Sequence, residues 1–196
     1  MGTLSTVIEK VRLRIRENKT QFFVDNDFMS LANDSMDLFS SALMDVECKL
    51  AANDTSFSVV STTADYAIAD KSFIVPGYIF LDGAPIPKYS PLNPEQLSYL
   101  DTVLGLTLYN HAAGDMVVYY WPVITEFTAV SDTIPYDGVW DQALMRSLVV
   151  ESKEIRKHNP QNVASLATQA YIAALAKSIA KYGTFERSMK GSLNVQ

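Results

Sequence analysis

The chain has 196 residues, 48% of them hydrophobic and 19% charged, with a formal net charge of −6 at pH 7. That composition excludes a disordered chain and provides enough apolar surface for one ordinary domain with a packed core. The acidic balance excludes a protein that coats nucleic acid over its whole surface, and a single cysteine, Cys48, excludes an internal disulfide framework.

The first predicted element is an amphipathic helix from Leu4 to about Glu17, on the spacing of Leu4, Val7, Ile8, Val11 and Ile15. The opening "MGTLST" formally matches a myristoylation pattern, but it reads better as the start of this helix. No secretory signal is expected at the start, and no stretch reads as the roughly 18 apolar residues of a membrane span.

The next stretch, "FFVDNDFMSLANDSMDLF", admits two readings. A calcium loop would need oxygen ligands at its first, third, fifth and twelfth positions and glycine at the sixth. Asp25 and Asp27 suit the first two, but Met29, Ser30 and Met36 occupy the others. A thioether does not replace a carboxylate for a hard cation, so the metal reading fails. The helix reading succeeds: Phe28, Leu31, Ala32, Ser35, Leu38, Phe39, Ala42, Leu43 and Val46 share one face. Asp25 is the expected N-cap, Val24 and Met29 the expected hydrophobic staple, and the helix is expected to end near Ala51.

The period then changes. "SFSVVSTT" and "SFIVPGYIFL" are β-branched and aromatic, as strands are, with Pro76-Gly77 bending or splitting the second. "DGAPIPKYSPLNPEQL" reads as an ordered surface loop, with Pro94 opening a short helix through about Leu100. "LTLYNHAAGDMVVYYW" reads as a hairpin turning between Asn110 and Asp115, and Pro122 ends it. Asp137 is expected to cap a helix through about His158, with Trp140, Leu144, Leu148 and Ile155 inward. Asn159-Pro160 then opens a last helix whose face runs Val163, Leu166, Ala167, Ala170, Tyr171, Ala174, Ser178, Ile179 and Tyr182, with Gly183 as C-cap.

The expected fold class is therefore α+β: a mainly helical bundle, two N-terminal and two C-terminal helices, with a small antiparallel sheet inserted between them. It reads as one domain over residues 1–182, helical at 4–51, β-rich at 56–124 and helical at 137–182, followed by an extended tail at 183–196.

Candidate chemistry is sparse. The two histidines, His111 and His158, have no neighbouring ligand at metal spacing, and there is no phosphate loop, nucleophile elbow or zinc motif. No cofactor and no metal site is expected. Tyr119, Tyr120 and Trp121 lack the interleaved basic residues of a base-stacking strip and read as core or interface packing. Charge is uneven: seven acids and only Lys49 lie between Asp25 and Asp54. The tail alternates Phe185, Met189, Leu193 and Val195 with Arg187 and Lys190, a pattern suited to docking along a groove. The small-residue turn with Asn110, His111, Gly114 and Asp115 reads as a loop that contacts a neighbour.

Several motifs in this order carry a family resemblance. "LSTVIEKVRLRIRENKTQFFVDNDFMSLANDSMDLF" resembles the opening of the head-to-tail adaptor (head-completion, or connector) proteins of tailed bacteriophages, with a V-R-x-R stretch, an aromatic before an acidic cap and a helix carrying L-x-N. "SFIVPGYIFLDGAPIPKYS" resembles their strand–proline–strand segment, with Val75-Pro76 where Leu-Pro is usual. "MVVYYWPVI" followed by "DTIPYDGVWDQALMRSLVV" is similar to their last strand, spacer and penultimate helix. The resemblance spans about residues 4 to 182. It implies a virion structural protein without catalysis, assembled in the bacterial cytoplasm, that forms a ring, dodecameric, below the portal. Its partners would be the portal protein, a tail or stopper protein, further copies of itself, and genomic DNA sliding through without sequence-specific contact. The tail residues would then dock on the portal, and the Asn110–Asp115 loop on a neighbour or a tail protein. A stopper or tail-completion ring protein is the nearest alternative; a small enzyme with a dispersed site is a third.

Overall fold

The computed structural model describes residues 2–16, 22–61, 64–156 and 161–185. The protein is α+β; among the described residues there are four α-helices and seven strands, in two antiparallel sheets rather than one. Two compact units share the chain: Met1–Leu50 with Ile124–Thr184, and Ala51–Val123 with the chain from Phe185.

The helical unit contains α1 (Leu4–Ile15), α2 (Asp25–Asp45), α3 (Asp141–Ile155) and α4 (Gln161–Tyr182). Leu4, Val7, Ile8, Val11 and Ile15 are buried, as their spacing predicts. Arg12, the first arginine of the V-R-x-R stretch, is buried with them. Its guanidinium donates to the Phe23 carbonyl at 3.0 Å and to Asp25 Oδ1 at 2.7 Å, and lies 4.8 Å from the Phe28 ring centre. This pins α1 to the start of α2. The N-cap of α2 is Val24, not Asp25, and Val24 is too exposed to act as a staple. Asp27 caps instead, accepting the Val24 N–H at 2.8 Å. Because residues 25–36 are helical, they cannot wrap a cation as a loop. The helix stops at Asp45, and a 3-10 turn at Lys49–Ala51 follows.

α3 is the central helix and packs against α1, α2 and α4, whereas α1 and α2 touch little. Its N-cap is Trp140, three residues later than the expected Asp137, because Tyr136–Gly138 forms a 3-10 turn and Gly138 has φ +69°. Trp140 sits fully buried beside it, its ring 4.6 Å from Phe39 and 5.5 Å from Tyr171. Ile155, expected inward, is exposed. Asn159-Pro160 and His158 lie outside the described residues. Gly183 ends α4 in the left-handed conformation, its N–H bonded to the Ile179 carbonyl at 2.8 Å, as expected.

The sheet unit contains β1 (Asn53–Val59), β2 (Asp65–Ala67), β3 (Lys71–Leu81), β4 (Ala84–Pro85), β5 (Ser98–Thr102), β6 (Gly105–Tyr109) and β7 (Gly114–Pro122). One sheet has the order β1-β7-β3-β4 and the other β2-β6-β5. Their facing residues, among them Val59, Ile79, Met116 and Val118 from the first and Tyr66, Tyr99, Leu106 and Leu108 from the second, form a common core. Lys71, buried on β3, reaches Asp101 on β5 at 2.7 Å, and Asp101 also accepts the Ile74 N–H at 3.0 Å. Pro76 lies where the β3–β7 register shifts, so β3 bends and stays one strand.

The expected hairpin across 106–121 does not form. Its two arms, β6 and β7, belong to different sheets. β6 instead pairs with β5, with Thr102 opposite Gly105 and only Val103-Leu104 between them. Pro94 opens no helix; turns lead from it into β5. Gly105 is required where it stands, since a Cβ there would lie 1.9 Å from the Tyr66 carbonyl oxygen on β2.

Candidate interaction surfaces

The α4 helix departs most from expectation. By length and composition alone it could cross a membrane, contrary to the expectation that no stretch would. Its charged residues are Lys177 and Lys181 only. A helix apolar on all sides is normally buried. Here only Ala174 and Ser178 are buried among the described side chains, Leu166 is 45% exposed and Ile172 59% exposed. The rest of the predicted face, including Val163, Ala167, Ala170 and Tyr171, is half-buried against the unit. At its C-terminal end the backbone is tied down, with the Lys49 N–H on the Gly183 carbonyl at 3.1 Å and a bridge between Cys48 and Thr184.

Beside α4 runs an open groove of about 340 Å³, lined mainly by apolar atoms of Leu38, Ala143, Ala167, Thr168 and Tyr171. Leu38, expected in the core, stands on its lip at 59% exposure. The buried stripe of α2 is Phe28, Ala32, Met36, Phe39 and Leu43, and Leu38 falls off its edge. The sequence signal for this surface was present as a surplus: α2 and α4 carry more apolar residues than one stripe can bury.

The contact loop proves partly structural. Asn110 has φ +53°, and its amide donates to the Pro94 carbonyl at 2.6 Å, holding the preceding loop. Gly114 approaches Asp82 so closely that a Cβ would lie 2.5 Å from Oδ2. The Asp115 N–H donates to Asp82 Oδ1 at 2.8 Å. His111 is half-exposed, with Nδ1 3.4 Å from the Ala112 carbonyl. The loop ends are thus anchored, and Ala112 and Ala113 form its exposed tip.

Of the tail residues, Phe185 is described and is 4% exposed. Its ring lies 4.4 Å from Tyr78, 5.5 Å from Tyr119 and 5.9 Å from Trp121, on the outer face of the four-stranded sheet. It packs within its own chain and is buried rather than presented for docking. Arg187, Met189, Lys190, Leu193 and Val195 lie outside the described residues. Tyr119 and Trp121 join this cluster while Tyr120 points into the sheet core, so the aromatic run serves packing on both faces.

Two exposed residues escaped the sequence reading. Val103 is 91% exposed and Leu104 78%, at the tip of the β5–β6 hairpin. Neither has positive φ, so the turn is not one of the primed types that demand Asn or Gly. Without those residues nothing marked the turn.

Among the described residues no group of three or more His, Cys, Asp or Glu could hold a metal ion. No protein-family model and no curated protein matches the chain.

Proposed function

We propose that the chain is a head-to-tail adaptor of a tailed bacteriophage, a structural subunit that assembles into a ring below the portal, closes the DNA-filled head and offers the tail its platform. The observation that carries this reading is the exposed apolar surface of α4 and its groove, which is costly to leave in water. A neighbouring chain would cover it. Heterologous contacts between identical subunits close into rings when the rotation closes, and each subunit then pairs this surface with a different, complementary patch on the next. The order of elements supports the same reading, with two helices, a sheet-rich insertion and two helices, in the order that the family resemblance implies. A net charge of −6 suits a channel through which phosphates slide without sticking.

The membrane alternative for α4 is disfavoured by its tethering. Its C-terminal end is bonded to the segment after α2, and Ala174 and Ser178 are packed in the unit. A stopper or tail-completion ring would need the same kind of surface and differs in which ring it binds.

The test uses purified protein, alone and with portal rings, followed by sedimentation and electron microscopy. A closed ring stacked coaxially on the portal is expected. A chain that stays monomeric at every concentration, with portal present, sinks the proposal. Binding to a preassembled adaptor ring and not to the portal would favour the stopper reading.

A further inference from the structure

An antiparallel sheet with one solvated face alternates apolar residues inward and polar residues outward. The four-stranded sheet keeps that rule on β1, where Phe57 and Val59 turn to the common core and Asp54, Ser56 and Ser58 face out. It breaks the rule on β3 and β7. Met116, Val118 and Tyr120 turn inward, which leaves Val117, Tyr119 and Trp121 on the outer side beside Phe73, Tyr78 and Phe80. Phe185 closes the end of this strip around Tyr78 and Trp121. Phe73 nevertheless stays 43% exposed, and Tyr78, Phe80, Val117 and Tyr119 are half-buried. Val117 pairs with Ser56 and Phe80, so the strip continues toward the β3–β4 turn.

The chain itself supplies what can continue along it. Phe185 is already seated on the face, and residues 186–196 follow it covalently. At roughly 3.3 Å per extended residue they reach about 36 Å, well beyond the width of four strands set about 4.8 Å apart. They carry Met189, Leu193 and Val195, and they carry Arg187 and Lys190 against Glu186. The charged residues of β1, β3 and β7 are Asp54, Asp115 and Lys71, and Lys71 is turned inward to Asp101. The outer side is therefore acidic where the segment is basic. Arg187 stands two residues after Phe185, whose ring is 5.5 Å from Tyr119, and Tyr119 pairs with Asp54. A segment tethered by a short link meets its site at an effective concentration in the mM range, so it outcompetes a free partner with the same side chains.

We infer that residues 186–196 lie across the outer face of the four-stranded sheet of their own chain. Phe185 is the first anchor, Met189, Leu193 and Val195 cover the strip over Phe80 and Val117, and Arg187 pairs with Asp54. The segment is then a cover, which must lift before a partner takes either the segment or the aromatic strip. The inference does not depend on the ring reading.

Limited trypsin digestion tests it, because cleavage after Lys190 requires the segment to leave the face. Asp54→Lys should speed that cleavage about threefold, and so should Arg187→Asp. The double variant restores the opposite charges and should return the rate to that of the wild-type chain. A synthetic peptide of residues 186–196 should bind a chain ending at Phe185 about tenfold or more tighter than it binds the full chain, whose own segment competes. Ser56→Cys with Met189→Cys and a short bismaleimide should give a link within one chain, at a yield independent of protein concentration; Cys48 is buried and adds little background. Equal cleavage in all four chains, with equal peptide binding to the full and shortened chains, overturns the inference. A link that joins two chains and grows with concentration overturns it as well, and gives the face to the segment of a second copy.

Discussion

Glu151 shows how one side chain can make the protein sensitive to pH. It lies on α3 facing α2, with Oε1 3.5 Å from the hydroxyls of Ser35 and Ser147. Oε2 is buried and has no hydrogen-bond partner among the described residues. Burial, with the Asp34 charge beside it, pushes the carboxyl up from an ordinary 4.5 to about 7, against the two serine hydrogen bonds that lower it; Glu154 adds to the rise. In the unfolded chain the group loses its proton near its ordinary value. As pH rises from there to about 7, the unfolded state binds fewer protons than the folded one, and stability falls. Above about 7 the penalty is complete. Glu151→Gln should melt with the wild-type protein near pH 4 and at a higher temperature at pH 8, the gap opening between. A gap of equal size at both pH values would show that packing, not charge, is responsible. Nothing in the sequence pointed to this site, because Glu151 looks like any charged residue on an amphipathic helix. Asn33 was similarly opaque: it belongs to the quoted L-x-N pattern, yet only the structure shows its side chain gripping Phe127, accepting its N–H at 2.7 Å and donating to its carbonyl at 3.3 Å.

Helices were more legible than sheets, for a physical reason. A helical face is local, because residues three and four apart must share a side. The periods of α1, α2 and α4 could therefore be read directly, and errors were confined to ends and edges, such as Val24 for Asp25 at the cap and Leu38 at the rim of the stripe. Strand pairing is not local. β6 and β7 are adjacent in sequence and apolar, but their partners come from elsewhere, β2 and β5 for one and β1 and β3 for the other. The candidate surface was half legible: its excess apolar residues could be counted, but which of them face water depends on α3, the shared partner. The α2 face can be checked by substitution. Leu43 is fully buried, so Leu43→Ala should cost about 2–5 kcal/mol. Leu38→Ala should change the stability of the chain by about 0.5 kcal/mol or less, because it empties no core site. Urea unfolding of both variants decides it; equal losses would mean that the helix is rotated from its described orientation.

At the scale of the whole chain, the backbone passes between the two units at Leu50–Ala51, Val123–Ile124 and Thr184–Phe185. The last passage places Phe185 in the aromatic cluster of the four-stranded sheet. A truncation at Tyr182 would remove that ring along with the tail, so it cannot isolate docking from folding. A chain ending at Phe185 is the cleaner comparison.

The two tryptophans fall one to each unit, Trp140 in the helical core and Trp121 in the sheet cluster, both buried. Nature has thus installed separate optical reporters. In Trp121→Phe all indole emission reports on the helices, and in Trp140→Phe all of it reports on the sheets. Phe185→Ala, made in each background, should lower the midpoint seen from Trp121 by several degrees and leave that seen from Trp140 in place. Two such independent traces would mark a chain that melts in stages. A common shift of both would reveal a single cooperative transition, in which loosening the sheet face also releases the helices.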